Sequence, residues 1–308
     1  MNNSLVWILG QGGFLGSALV DEYIRRGDTI FAADSISWSL PSTRLDDFGR
    51  NWNHFLKHSH DGNRKIIWAA GTSGVSADSS PIDNELACFK DLVSTINNHE
   101  HSGNMQFYLC SSAGGAYASS VEPPFTSLTI AIPQSYYGEM KLLIEELSTG
   151  ALGAHMPVTV GRISNLYGPW NGARQGLINR LCRAALDRNP LNLYVPMGTV
   201  RDYLYISDAA QLIAESTPPI GENSRIEVVA SGINTTIAQA ISTVSSVAHR
   251  KIPVSIGSDD NSTVQPEDLR LIPSWRNTNP QFTPVDLATG SRHVLTYLST
   301  RPRLPLAI

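Results

Sequence analysis

Apolar residues run along this chain in two rhythms. In one they form short unbroken runs: LVWIL at Leu5–Leu9, residues 29–33, KIIWAA at 65–70, QFYLC at 106–110, and Val158–Ile163. In the other they recur every three or four positions, as at Leu86, Phe89, Val93 and Ile96. The first rhythm predicts strands and the second predicts helices. Helices are expected at 17–26, closed by Gly27, at 84–98 and at 135–146. Unbroken rather than alternating strands belong to a parallel sheet covered on both faces, and here strand and helix alternate over about 160 residues. The expected class is α/β, a Rossmann-type doubly wound parallel sheet. Residues 35–64 are polar and poorly patterned and predict no regular element. After Pro169 the pattern loosens, with a helix expected at 176–187, a strand at 200–206, mostly loop at 253–284 and a last helix at 285–298. This looser part predicts a smaller, discontinuous C-terminal unit built from residues 169–199 and 236–308, with 200–235 returning to the first 168 residues.

Composition narrows the field. The chain has 308 residues, is 42% hydrophobic and 16% charged, and carries a net charge of −4. Length and apolar content allow a sizeable core. The weakly acidic balance gives no reason to expect nucleic acid or an anionic membrane surface as partner. Cys88, Cys110 and Cys182 are odd in number and form no CxxC, so neither a disulfide framework nor a zinc knuckle is expected. Cys110 ends an apolar strand and reads as a small buried residue. His54, His58 and His60 lie in the unpatterned region without a nearby cysteine, and no metal is expected there. No run reaches the roughly 18 apolar residues of a membrane span, and the run 5–9 is too short for a signal-peptide core, so the expected compartment is cytoplasmic.

The first candidate chemistry is GQGGFLG, residues 10–16. It follows the first strand and opens the first helix, with Gly10, Gly13 and Gly16 in a GxxGxxG spacing. Glycine suits a tight turn whose backbone approaches a pyrophosphate, and a helix N-terminus offers N–H groups and a positive dipole end to that anion. The second strand leads to Asp34, whose carboxylate can accept hydrogen bonds from the adenosine ribose hydroxyls and would repel a 2′-phosphate. NAD is therefore expected, with NADP as the alternative.

The second is SYYGEMK at 135–141. Residues i and i+4 of a helix share a face, so Tyr137 and Lys141 point the same way while Tyr136 pairs with Met140. An ammonium beside a phenol favours the phenolate. Such a phenol can exchange a proton with a sugar or alcohol hydroxyl while hydride moves to or from a nicotinamide.

Six stretches in order make the chain resemble the extended short-chain dehydrogenase/reductases, in the NAD-dependent epimerase/dehydratase group that includes UDP-galactose 4-epimerase. They are GQGGFLG, WAAG (68–71), CSSAGGAYA (110–118), YGEMK (137–141), GRISNLYGP (161–169) and VRDYLYISD (200–208). The last hundred residues match only loosely. The resemblance implies a dinucleotide-binding domain over 1–168 and a substrate-binding domain in the discontinuous remainder. It implies cofactor contacts from Gly10, Gly13, Phe14, Leu15, Gly16, Asp34, Ala69, Ala70, Gly71 and Ile163. Tyr137 is implied as the acid/base, with Lys141 favouring its phenolate and bonding the nicotinamide ribose. A hydroxyl is expected beside them: counting back from Tyr117 reaches Ala113, counting back from Tyr137 favours Ser112, and Ser111 comes second. Asn165, Arg201 and Tyr194 are implied at the nucleotide-sugar, although Arg201 could instead pair with Asp202, and Tyr194 could pack in the core. A homodimer through residues 84–98 and 136–149 is also implied.

The resemblance points to an NAD(P)-dependent epimerase acting at C4 of a nucleotide-linked sugar. The alternative is an NAD(P)H-dependent 4-ketoreductase, and an alternative of another class is a non-catalytic nucleotide-sensing module. Ala113-Gly114 stands where 4,6-dehydratases carry an Asp-Glu pair, which argues against dehydration. Three further departures stand out: no third strand with an acidic turn at 35–64, Glu85 where many relatives have Asn, and Gln265 to Asp268 where several have an arginine.

Overall fold

A computed structural model of the chain describes residues 3–58, 62–71, 79–99, 104–170, 172, 175–216, 224–257 and 266–301. His60 and Gln265 lie outside these residues.

The chain opens with β1 (Leu5–Leu9), α1 (Phe14–Arg25) and β2 (Thr29–Ile30). It continues through α2 (Pro41–Lys57), β3 (Arg64–Trp68), α3 (Ser79–Asn97), β4 (Met105–Ser112) and a short α4 (Ala113–Ala116). Then come α5 (Tyr136–Leu147), which runs on into a π turn at Ser148–Leu152, and β5 (Val158–Ile163). Five of these strands join the later β9 (Ser224–Val229) in one six-stranded sheet of order β2-β1-β3-β4-β5-β9, every neighbouring pair parallel. The doubly wound α/β class is thereby shown. Helices cover both faces, and the expected unbroken strands are buried along their whole length at β1, β3 and β5.

The unpatterned region 35–64 corrects the sequence reading. Within it Pro41–Lys57 form α2, a helix of 17 residues. Phe48, Trp52 and Phe55 recur at helical spacing and are fully buried. The signal was diluted because Arg44, Asp47 and Asn51 are buried too. Arg44 reaches the Asp91 carboxylate at 2.7 Å and the Trp38 carbonyl at 2.9 Å, which satisfies a guanidinium that would otherwise be costly inside. His54 therefore sits on a helix and not in a loop. The expected strand 29–33 is also shorter, ending at Ile30.

Beyond β5 the chain forms β6 (Asn165–Tyr167), α6 (Leu177–Asp187), β7 (Leu191–Leu193), β8 (Val200–Tyr205) and α7 (Ile206–Glu215). After β9 follow β10 (Asn234–Thr236), α8 (Ile237–Val247), β11 (Val254–Ile256), α9 (Trp275–Thr278) and α10 (Leu287–Ser299). The sequence pattern had not revealed β6, β9, α7 or α8. A second core gathers here from Ile178, Leu181, Tyr203, Ile237, Val244 and Val294. A three-stranded sheet of order β10-β8-β6 and the pair β11-β7 belong to this part. No helix among the described residues is long and apolar enough to cross a membrane.

At the amino end of β3, Lys65 is buried, donates to the Ile213 and Ser216 carbonyls at the end of α7, and lies over the rings of Tyr23 and Tyr108. Burial lowers its pKa to about 8, against the opposing pull of Glu227. Between that value and about 10.4 the unfolded chain holds a proton that the native state releases, so this residue makes stability rise with pH across that window. Urea unfolding of the parent and a Lys65→Met variant should show this: the parent gains on the variant between pH 8 and 10. Parallel pH profiles would refute the assignment.

Candidate functional site

The parallel register brings the carboxyl ends of β1, β3, β4 and β5 to one edge: Leu9 lies beside Trp68, Trp68 beside Leu109, and Ser112 beside Ile163. Strand order reverses at β1, which has β2 on one side and β3 on the other. Open α/β sheets bind ligands outside such a switch point.

The glycine loop sits there. Gly10 has φ +94°, and a Cβ on it would stand 2.7 Å from backbone atoms of Ala69 and Ala70. A Cβ on Gly16 would stand 2.0 Å from the Gly10 carbonyl oxygen. Both positions therefore require glycine, and the loop is pressed against the end of β3. Gly13 caps α1 without a side-chain acceptor, so the first-turn N–H groups, from Phe14 and Leu15 onward, face the edge as an anion site would need. This cradle fits a dinucleotide pyrophosphate. Asp34 follows β2 with an exposed carboxylate. Asn51 of α2 accepts from its backbone N–H at 2.7 Å, while Arg50 Nε and His54 Nδ1 lie 3.6 and 3.7 Å from its carboxylate. The helix that the sequence pattern hid thus supplies the surroundings of the expected ribose acceptor.

Tyr137 and Lys141 share one face of α5, as their spacing predicts, with the ammonium 5.5 Å from the ring centroid. A Cβ on Gly115 would stand 3.2 Å from Tyr137 Cε1, so the ring lies against α4. Lys141 donates to Glu85 Oε1 of α3 at 2.5 Å, and both are buried. Burial alone would lower the Lys141 pKa, but the charges of Tyr137 and Glu85 outweigh it and raise the group above its ordinary value. Tyr136 turns away, its hydroxyl bonding Asp83.

The two serines separate. Ser111 is buried and donates to Glu145 Oε1 at 2.5 Å. Ser112 is only half-buried, and its Oγ accepts from the Gly115 N–H at 3.1 Å as the cap of α4. Ala113 is buried within α4. Behind them lies a cluster that sequence reasoning missed. Glu145 takes a two-pronged bond from Arg162 of β5, with Nη2 at 2.8 Å, and Arg162 Nη1 donates to the Tyr117 hydroxyl at 3.0 Å. Its available signal was position: Glu145 follows Lys141 by one helical turn. Cys110, next to this cluster, has its thiol pushed up to about 12 by burial, in keeping with an inert residue.

The remaining expected residues lie at the later sheets. Asn165 is exposed, and its amide donates to the Asp202 carbonyl at 3.0 Å. Arg201 on β8 is buried, which lowers its pKa, with Tyr203 and Asp268 opposing. The Asp202 carboxylate accepts from Ser231 and Gly232, so the pairing with Arg201 weighed from sequence is not what holds it. Asp268 pairs with Arg270 at 2.8 Å. Tyr194, beyond β7, is 42% exposed, so it is a surface ring rather than a core residue.

Comparison with known proteins agrees with the fold. The model of the NAD dependent epimerase/dehydratase family matches residues 6–216. A UDP-N-acetyl-alpha-D-glucosaminuronate decarboxylase of Bacillus cytotoxicus is 27% identical over 224 residues, covering 66% of this chain and 68% of its own. A dTDP-4-dehydro-6-deoxyglucose reductase of Escherichia coli is 24% identical over 268 residues, covering 80% and 82%. The crystal structure of a UDP-glucose 4-epimerase from Thermus thermophilus in complex with NAD superposes with a TM-score of 0.75 at 20% identity, covering 96% and 99%.

The Glu145–Arg162 pair yields a stability prediction. Glu145→Ala leaves a buried guanidinium without its carboxylate and should cost about 3–5 kcal/mol in denaturant unfolding. A loss below about 1 kcal/mol, the range of exposed pairs, would show the fork to be dispensable.

Proposed function

Because the chain belongs to the NAD dependent epimerase/dehydratase family, we propose that it is a sugar-nucleotide epimerase that inverts C4 through a transient 4-keto sugar. The observation that carries this reading is Tyr137 and Lys141 on one face of α5, beside the half-buried Ser112, at the sheet edge that also bears the glycine loop. In this reading Gly10, Gly13, Phe14, Leu15 and Gly16 cradle the pyrophosphate of NAD and Asp34 accepts from its adenosine ribose. Ala69, Ala70, Gly71 and Ile163 line the path towards Tyr137. Asn165, Arg201 and Tyr194 hold the nucleotide-sugar, with Arg201 suited to a diphosphate.

A bound nicotinamide supplies the hydride acceptor and donor. Tyr137 takes the proton of the C4 hydroxyl and returns it to the ketone oxygen once the sugar has turned over. Lys141 lies 5.5 Å from the centroid of that ring and, in this reading, bonds the nicotinamide ribose. Ser112 accepts from the Gly115 N–H, so its own O–H remains as donor to the reacting oxygen. Ser111 gives its proton to Glu145 and is the weaker choice. Ala113 and Gly114 can act neither as acid nor as base, which speaks against dehydration. The intact Tyr–Lys pair speaks against a non-catalytic nucleotide sensor. Pairing of two chains through α3 and α5 and a cytoplasmic setting complete the proposal.

A second reading, a 4-ketoreductase that consumes reduced cofactor, is supported by the reach of the Escherichia coli reductase over 80% of the chain. Nucleotide released on denaturing the purified protein separates them. Retained NAD and interconversion of 4-epimers fit the first, whereas an empty protein that oxidises NADPH with a 4-keto sugar nucleotide fits the second.

On a panel of UDP- and dTDP-linked sugars, Tyr137→Phe should lower kcat by about 10²–10⁴-fold with NAD binding unchanged. Ser112→Ala should lower kcat more than Ser111→Ala does. Near-full turnover by Tyr137→Phe would sink the mechanism.

A further inference from the structure

Glu85 is the departure in this site with the clearest electrostatic consequence. Its side chain and that of Lys141 are 6% and 10% exposed, with 2.5 Å between carboxylate and ammonium. A Cβ on Gly71 would stand 2.9 Å from Glu85 Oε2, which places the carboxylate at the end of β3, on the ligand edge. A glutamine would fill the same space and accept the same bond from Lys141. What the glutamate adds is one negative charge in a place shielded from water.

Among the described residues, the other ionisable groups beside Lys141 do not supply that charge. Cys110 of β4 keeps its proton, its thiol being pushed up to about 12. Glu145, one turn beyond Lys141 on α5, is matched by Arg162 of β5. Tyr137 is the proposed acid/base itself, and Tyr117 behind it donates to the Thr126 carbonyl, burial raising its pKa. Lys141 with Glu85 is therefore close to neutral as a unit. Lys141 without Glu85 would be an uncompensated cation.

We propose that Glu85 sets the redox-state preference of the bound cofactor, favouring the oxidised, cationic nicotinamide over the reduced, neutral one. This rests on the nucleotide site proposed above, in which Lys141 bonds the nicotinamide ribose. An unopposed ammonium there repels a cationic ring and is indifferent to a neutral one, and Glu85 cancels that repulsion. The bias matters for an enzyme that returns each hydride to its own substrate, because the cofactor must meet every new sugar in its oxidised form. A reductase that needs reduced cofactor on arrival would gain nothing from it.

The test is equilibrium binding of NAD+ and NADH to the purified full-length protein, with no sugar present. In Glu85→Gln the ratio of Kd for NAD+ to Kd for NADH should rise by about tenfold over wild type, through weaker NAD+ binding. Glu85→Asp, which keeps the charge, should stay within about twofold of wild type. The same charge removed from a Lys141→Gln background should also raise the ratio, which reads the effect without an unpaired ammonium in the fold. An unchanged ratio in both backgrounds, or equal weakening of both nucleotides, overturns the inference while leaving the nucleotide site standing. Failure of wild type to bind either nucleotide would instead remove the site, and the inference with it.

Discussion

The fork between Glu145 and Arg162 holds the site together. Through it α5 is tied to β5, through Ser111 to β4, and through Tyr117 to the loop at Thr126. The ties among Glu145, Arg162, Ser111 and Tyr117 are buried, where a misplaced charge is expensive, so the helix has little freedom to rotate or slide. The face that carries Tyr137 and Lys141 is therefore aimed by groups one and two turns behind it. Ser111 belongs to this anchor, while its half-buried neighbour Ser112 caps α4 with its oxygen.

Much of this was legible in the amino-acid order. The unbroken strands β1, β3, β4 and β5 announced a parallel sheet because burial on both faces removes the alternation seen in half-exposed strands. The glycine loop and the tyrosine–lysine spacing were legible because each is a local rule: a tight turn that excludes Cβ atoms, and a period that brings i and i+4 together. The helix α2 was not legible, since its inward face carries Arg44, Asp47 and Asn51 among its aromatics. Its polar residues find partners only in the folded chain, Arg44 on Asp91 and Asn51 on Asp34, and no local pattern reports such distant pairs. The same holds for Glu85 and Lys141, 56 residues apart. Glu85 was visible as a departure from relatives, but its partner was not.

Choosing between Ser111 and Ser112 shows where counting residues stops being enough. Both lie at the end of β4, and a strand points successive side chains to opposite faces. One face of β4 meets the anchor behind α5, and the other, which carries Tyr108 and Cys110, packs against α1 and α7. Counting left the expected hydroxyl between Ala113 and Ser112, with Ser111 second; folding gives Ser111 to Glu145 and Ser112 to the cap of α4, two partners that no count reports.

The helix that stands where a third strand would otherwise continue also changes the rim of the sheet. β2, the outermost strand on that side, pairs with β1 over only two residues, Thr29 and Ile30. A long bare edge offers unpaired N–H and C=O groups to any extended chain nearby, and short edge strands are one way that sheets deny it. Beyond Ile30 the backbone at Asp34 is bonded by Asn51 of α2, so that donor is closed to an incoming strand as well. The helix that surrounds Asp34 thereby leaves the molecule with little template on that side for sheet growth between copies.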